Sequence, residues 1–333
     1  MRVIIPMAGM GKRLRPHTLT TPKPLLHIAG KPIVHHLVED IAEIIRQPIE
    51  EIAYIIGDFG KEVEESLCSI AQKVGAKPSI YYQEQPLGTA HAILCAKQSL
   101  TGNIIVAFAD TLFRADFTLN TDKDAVIWVK EVENPSQFGV VQLNEKQEII
   151  NFVEKPKTFV SNLAIIGIYY FQSGESLYQE LQRLIDLDIK SLGEYQLTDA
   201  LAHMLQKGKK MGIAGVKDWM DCGNKQAILE TNQNVLNHLQ KDNKIRTFVY
   251  PNSVIVPPCY IAQNAQIHNS IIGPYVSVGE NALIENAIIS HSIVNANAQV
   301  QYAHIHYSIV GKYATVKGTP LSVNLGDYSN TEL

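Results

Sequence analysis

The sequence predicts an α/β protein: a mixed, mostly parallel sheet flanked by helices, followed by a short coil of parallel β-strands. Three observations carry this reading. Up to about Asn237, short apolar runs alternate with amphipathic stretches at helical spacing, the pattern of strands joined by crossover helices. The first apolar run opens at once into a loop containing Gly9, Gly11, Lys12 and Arg13, at the carboxyl end of a strand, where α/β sheets bind ligands. After Gln240 the apolar period changes to one that fits neither a helix nor a flat strand.

In chain order, Val3 to Pro6 reads as a first buried strand. A helix follows from Pro32, with Ile33, Leu37, Ile41 and Ile44 at core spacing. Ile52 to Ile56 is a second strand and Val63 to Val74 a helix. Ile104 to Phe108 is a third strand, ending at Asp110. Ala125–Val129, Gly139–Leu143 and Ile149–Val153 read as further strands, the last two joined by a polar turn at Asn144–Gln147. Ala164 to Phe171 is another strand, and helices cover Gly174–Leu187 and Gln196–Gln206. The expected domains are 1–240, a linker over 241–252 that begins Lys241-Asp242-Asn243-Lys244, a coil over 253–320 and a tail over 321–333.

In the coil, Ile261, Ile267, Ile272, Val278, Ile284, Ile289, Val294, Val300, Ile305, Val310 and Val316 recur every five or six residues. Ala265, Ala282, Ala298 and Ala314 follow four places after members of that series. Each apolar residue would point into a triangular prism, and its small partner would let the corner turn tightly. The segment resembles the left-handed parallel β-helix of hexapeptide-repeat proteins, over about three coils.

With 333 residues, the chain is long enough for one large unit and a smaller one. Its 46% hydrophobic and 19% charged residues are ordinary for a globular protein. A net charge of −4 argues against nucleic-acid or acidic-membrane partners, which reward a basic surface. Cys68, Cys95, Cys222 and Cys259 show no metal-ligand spacing and read as reduced core thiols. No apolar run approaches the ~20 residues that span a bilayer, and the amino terminus lacks a signal-peptide core, so a cytoplasmic location is expected.

Two phosphate motifs can be tested on the first loop. A P-loop needs glycine and a hydroxyl residue where Pro6 and Arg13 stand, and a dinucleotide fingerprint needs a third glycine where Leu14 stands. Both fail. Gly9 and Gly11 still allow backbone amides to approach an anion, and Arg13 and Lys23 supply positive charge for a polyphosphate. Pro22 and Pro24 would stiffen the strand carrying Lys23.

The string Ala8-Gly9-Met10-Gly11-Lys12-Arg13-Leu14-Arg15-Pro16, followed by Thr21-Pro22-Lys23-Pro24-Leu25, resembles the nucleotide-binding motif of the sugar-1-phosphate nucleotidylyltransferases. That resemblance implies a Rossmann-like nucleotidyltransferase sheet and a set of site residues. Ala8, Gly9, Gly11, Gln83 and Gly88 would bind the nucleotide, the last two within the base-recognition segment Gln83–Ala90. Gln83 can donate to and accept from a base edge, Gly88 permits backbone approach, and Thr89 can cap a helix aimed at the nucleotide. Asp110 and Asp221, in Trp219-Met220-Asp221-Cys222-Gly223, would hold Mg²⁺, which prefers oxygen ligands. Gly139, Glu154, Lys155, Gly167 and Glu194 would hold the sugar phosphate. Ala109 replaces the glycine common before the first aspartate, and Ile165 and Ile166 stand where thymidylyltransferases often carry polar residues.

The implied reaction is attack by a hexose-1-phosphate oxygen on the α-phosphorus of a nucleoside triphosphate, with pyrophosphate leaving and Arg13, Lys23 and Lys155 catalytic through charge. Gln83 fits a pyrimidine imide edge, which favours dTTP or UTP; transfer from GTP to mannose-1-phosphate is the alternative. A non-catalytic nucleotide-sugar sensor is a second rival. An acyltransferase on the coil, where His268, His291, His304 and His306 lie, is a third. The coil's default role is capping or assembly, and a homo-oligomer is expected.

Overall fold

The computed structural model describes residues 1–45, 47–114, 122–245, 249–319 and 322–331. Close packing divides the chain into two units, Met1–Leu26 with Lys31–Asn224, and His27–Gly30 with Lys225–Leu333.

The first unit is built on one mixed sheet. Its strands are β1 (Arg2–Pro6), β2 (Glu51–Ile56), β3 (Lys77–Tyr82), β4 (Ile104–Ala107), β6 (Ala125–Glu131), β7 (Gly139–Leu143), β8 (Ile149–Glu154), β9 (Leu163–Phe171) and β10 (Met211–Gly215). The order is β8-β7-β9-β4-β1-β2-β3, with β6 on β9 and β10 on β6. The stretch β4-β1-β2-β3 is parallel throughout, as is β6 with β10, while β9 runs antiparallel to β4 and β6. β1 and β2 are apolar on both faces because helices cover both, so they read as continuous runs and not as alternation.

The helices are α1 (Ile33–Ile45), α2 (Lys61–Lys73), α3 (Thr89–Cys95), α4 (Gly174–Asp186) and α5 (Leu197–Gln206). Ile4, Ala53, Ile55 and Val106 of the sheet pack with Ala90, Ile93, Leu177, Leu181 and Leu201 in one buried cluster. A separate two-stranded ribbon pairs β5 (Thr111–Arg114) with β11 (Asp218–Asp221).

Every strand and helix expected in this unit is present within a few residues of its expected ends. Among the described residues of this unit, four strands of four or more residues were not foreseen. β3 carries Pro78 and is only half-buried, both marks of an edge strand. β10 also lies at an edge, and its two glycines blur any pattern. β5 and β11 are four residues each and follow turns too closely to show a period.

In the second unit, α6 (Lys225–Lys241) buries Ile228, Leu229, Asn232, Val235 and Leu236. Lys241 and its neighbours, expected to open a linker, instead end this helix. Asn243 takes a left-handed conformation (φ 53°), and the Lys244 amide donates to the Leu239 carbonyl. Part of the expected linker (246–248), residue 320, and residues 321, 332 and 333 of the tail lie outside the described residues.

The coil is a left-handed parallel β-helix with three faces. Each face carries four strands in parallel register, one more level than the three expected. Val254 pairs with Ile271, 17 residues on, and Ile288 with His304, 16 residues on, so a turn is shorter than three full hexapeptides. Ile267, Ile272, Val278, Ile284, Ile289, Val294 and Val300 fill the prism together with Ala265, Ala282 and Ala298. At the corners Asn252, Asn269, Asn281, Asn286 and Asn297 sit at positive φ, a conformation asparagine tolerates better than most residues. Tyr275, His291 and Tyr307 hold equivalent positions on another edge, where His291 stacks on Tyr307 at 5.0 Å and meets Tyr275 at a tilt, 5.1 Å between rings. His291 belongs to that ladder and its burial lowers its pKa.

Candidate active site

The first loop leaves β1 at the carboxyl edge of the parallel strands. Gly11 is left-handed (φ 73°), and a Cβ there would lie 2.8 Å from the Cβ of Lys23, so the loop folds down onto that lysine. Thr18 holds the fold by donating its hydroxyl to the Gly11 carbonyl at 2.8 Å, and Leu14 anchors it in the core. Gly9 is exposed with open space where a Cβ would stand, which leaves its backbone approachable, and Ala8 beside it is half-buried. Arg13 is exposed. Lys23 is 9% exposed and sits on a 3₁₀ turn, Lys23–Leu25, and not on the strand expected of Pro22 and Pro24.

Lys23 leads to the carboxylates. Its Nζ is 3.4 Å from Oδ2 of Asp110. Asp110 follows β4, and the β5–β11 ribbon sets Asp221 opposite Thr111, the next residue. The Cys222 amide donates to the Asp110 carbonyl at 3.1 Å, closing the ribbon's end. Trp219 donates its indole N–H to the Thr111 hydroxyl at 2.5 Å and meets the Phe138 ring edge-on at 4.9 Å. Burial pushes the Asp221 carboxyl above its ordinary value, and the negative charge of Asp110 adds to this. Lys23, the Gly223 amide and Arg13 oppose it. Two neighbouring carboxylates beside a lysine fit a hard divalent cation. Among the described residues no cluster of three His, Cys, Asp or Glu offers a fuller ligand set, so such an ion would need water and phosphate oxygens as well.

Beside the carboxylates opens a cavity of about 230 Å³. Asp110, Gly139, Glu154, Gly167 and Asp221 line it, as do Thr89, Phe108, Phe138, Ile165, Ile166, Gln196, Thr198 and Trp219. Gly167 lies where the pairing of β9 with β6 slips between Ile165 and Tyr169. Its φ of 84° suits glycine, and its carbonyl accepts the Phe108 amide at 2.9 Å. Glu154 accepts from the Thr198 hydroxyl at 3.4 Å, and a Cβ on Gly139 would come within 2.9 Å of its Oε2. Lys155, at φ 43°, is exposed with Nζ 3.7 Å from Glu154 Oε1.

Similarity to known proteins decides the family. The family model for nucleotidyl transferase matches residues 2–238, and one for a GlmU-like C-terminal hexapeptide domain matches residues 237–306. The chain is a member of the nucleotidyl transferase family. It is 36% identical over 243 residues to the Bifunctional protein GlmU of Methanococcus maripaludis, covering 72% of this chain and 55% of that one. It is 33% identical to the Low-salt glycan biosynthesis nucleotidyltransferase Agl11 of Haloferax volcanii, over 71% of this chain and 66% of that one. To the Glucose-1-phosphate thymidylyltransferase of Streptomyces antibioticus it is 31% identical, over 81% of this chain and 75% of that one. The chain thus spans about half the length of the GlmU relatives it matches. A solved structure from Bacillus anthracis, named provisionally as a glucose-1-phosphate thymidylyltransferase and holding sucrose, shares the fold. Its TM-score is 0.59 and its identity 24%, covering 74% of this chain and 97% of that one.

Several of the expected site residues have partners within the chain. Gly88 (φ 121°) does permit a close approach, but to the chain's own backbone: a Cβ there would lie 2.5 Å from the Tyr195 carbonyl. Thr89 does not cap α3. Its hydroxyl accepts the Leu197 amide at 2.9 Å, tying α3 to the start of α5. Glu194 is exposed, outside the cavity lining, and accepts from Gln196 at 3.3 Å. Gln83 is half-buried, with Nε2 3.2 Å from the Gly88 carbonyl and 3.1 Å from His91 Nδ1. Sequence reading missed Phe138, Gln196, Thr198 and Trp219 as cavity walls. In the sequence they look like turn, cap and core residues, and only the packing of the β5–β11 ribbon, the start of α5 and the turn before β7 brings them to one space. No helix among the described residues is long and apolar enough to cross a membrane, and all four cysteines are free.

Proposed function

We propose that this chain transfers a nucleoside monophosphate from a triphosphate, UTP or dTTP by preference, to a hexose-1-phosphate, releasing pyrophosphate with Mg²⁺. The observation that carries the reading is the meeting of Lys23, Asp110 and Asp221 beside the cavity that holds Glu154 and Gly167. The loop of Ala8, Gly9 and Gly11 would cradle the triphosphate, with Arg13 and Lys23 over its oxygens. The sugar ring would lie on Gly167, with Glu154 taking hydroxyls and Lys155 the acceptor phosphate from the rim.

In the reaction, a sugar-phosphate oxygen bonds to the α-phosphorus while the bridging bond from that phosphorus to the β-phosphate oxygen breaks, and the pair of electrons leaves on pyrophosphate. The acceptor phosphate is already ionised near neutral pH, so the protein need not remove a proton. It must place two anions together, and Lys23, Arg13 and Lys155 offset their repulsion. Asp110 and Asp221 would hold Mg²⁺, which supplies further neutralisation at the phosphates when bound. The chain would work as a homo-oligomer in a cytoplasmic setting. A matrix of dTTP, UTP and GTP against hexose-1-phosphates, read by pyrophosphate release with and without chelator, tests the reading. Silence across the matrix would sink it.

A further inference from the structure

We propose that His91 fixes which atom of Gln83 faces the nucleobase, and so restricts the triphosphate to bases with a ring N–H on their pairing edge: uracil, thymine or guanine. The inference rests on the proposed transfer reaction and takes Gln83 as the residue that meets the base of its triphosphate. Gln83 directly follows β3 on the same sheet edge as the glycine loop, pinned there by its backbone amide on the Ile56 carbonyl at 2.8 Å. Its side-chain nitrogen is 3.2 Å from the Gly88 carbonyl. A carbonyl can only accept, so the atom facing it has to be the NH₂ group, and this settles the orientation of the amide. The same nitrogen lies 3.1 Å from Nδ1 of His91. Nδ1 therefore accepts, and the imidazole is neutral with its proton on Nε2. Partial burial of His91 works in the same direction, lowering its pKa.

Both protons of the Gln83 amide are thus engaged within the protein. Among the described residues its Oε1 has no partner. An amide with only an acceptor to offer matches N3–H of uracil or thymine and N1–H of guanine. Cytosine N3 and adenine N1 carry lone pairs at those places, which would set acceptor against acceptor. His91 touches no base and acts as a positioning residue: without its Nδ1, one amide proton is released and can serve cytosine or adenine.

Equilibrium binding of UTP against CTP, and of GTP against ATP, cancels base size and isolates this edge. Wild-type protein should prefer the first of each pair by roughly tenfold or more, the scale of one mismatched buried hydrogen bond. His91→Leu should narrow both ratios to within about threefold, chiefly by tightening CTP and ATP, whereas His91→Asn, which keeps an acceptor, should retain them. Equal binding of CTP and UTP by the wild type, or an unchanged ratio in His91→Leu, would overturn the inference, and the first outcome needs no variant to fold. Discriminating binding with no pyrophosphate from any hexose-1-phosphate would reject the transfer reading and leave the role of His91 standing. Pyrophosphate release without discrimination would do the reverse.

Discussion

Lys23 is a nearly buried ammonium, and burying a charge is costly unless a partner lies close. Its partner Asp110 is 3.4 Å away, and the same charge opposes the rise in the Asp221 pKa. Removing it leaves two carboxylates repelling one another and, on the proposed function, takes a cation from the triphosphate. Lys23→Ala or Asp110→Ala should therefore lower turnover by on the order of 10²–10³ while circular dichroism stays native. Near-normal pyrophosphate release in either variant would contradict the assignment. Gly167 tests the cavity floor in a different way. At φ 84° an added methyl group is strained whatever room it finds, and here it also meets Phe108 at 3.4 Å. Gly167→Ala should cost about 1–2 kcal/mol of stability, seen as a lowered melting temperature, and raise the KM for the sugar phosphate more than that for the nucleotide.

Between elements, α1 packs on β5 through Asp40, whose carboxylate oxygen is 3.8 Å from the Arg114 guanidinium. Burial outweighs that attraction and pushes the Asp40 carboxyl up to about 7. A carboxyl raised in the folded state contributes stability that is complete below its unfolded value and is lost as pH climbs through about 7. Asp40→Asn mimics the protonated form, so its melting temperature should exceed the wild type's clearly at pH 8 and by much less at pH 5. A gap that does not grow with pH would show that Asp40 is not charged at the cost inferred. In the β-helix, Ile284 is fully buried between the Ile267 and Val300 levels. Ile284→Ala should destabilise the coil by about 2–5 kcal/mol through the cavity it leaves, measurable by denaturant unfolding.

Across the whole chain, the two units interleave in sequence. Residues His27–Gly30 belong with the second unit, where the Ala29 amide donates to Asn232 at 3.0 Å and Gly30 lies so close to the Tyr260 ring that no Cβ would fit. A cut between Asn224 and Lys225 strands this segment away from α6. A fragment ending at 241 should melt higher than one ending at 224, because only the longer one keeps the Ala29–Asn232 bond. Equal melting temperatures would show that the segment folds without α6.

By itself the sequence determined the repeating grammar of this protein and marked the loop proposed to hold the triphosphate. Continuous apolar runs on β1, β2 and β4 announce strands covered on both faces, and the recurrence of Ile and Val every five or six residues announces the prism. Ala8 to Lys23 carry enough glycine, lysine and arginine to mark an anion site locally. The tertiary structure alone decided which residues share the cavity. Asp110 and Asp221 meet through a ribbon too short to show a period, and Thr198 and Trp219 reach the cavity from elements far apart in sequence. It also turned Gly88 toward Tyr195, put Thr89 on Leu197, and set Glu194 outside the cavity. The physical reason is one of range. Periodicity and loop chemistry are written in neighbouring residues, whereas the partner of a hydrogen bond or the wall of a cavity is set by how distant segments pack.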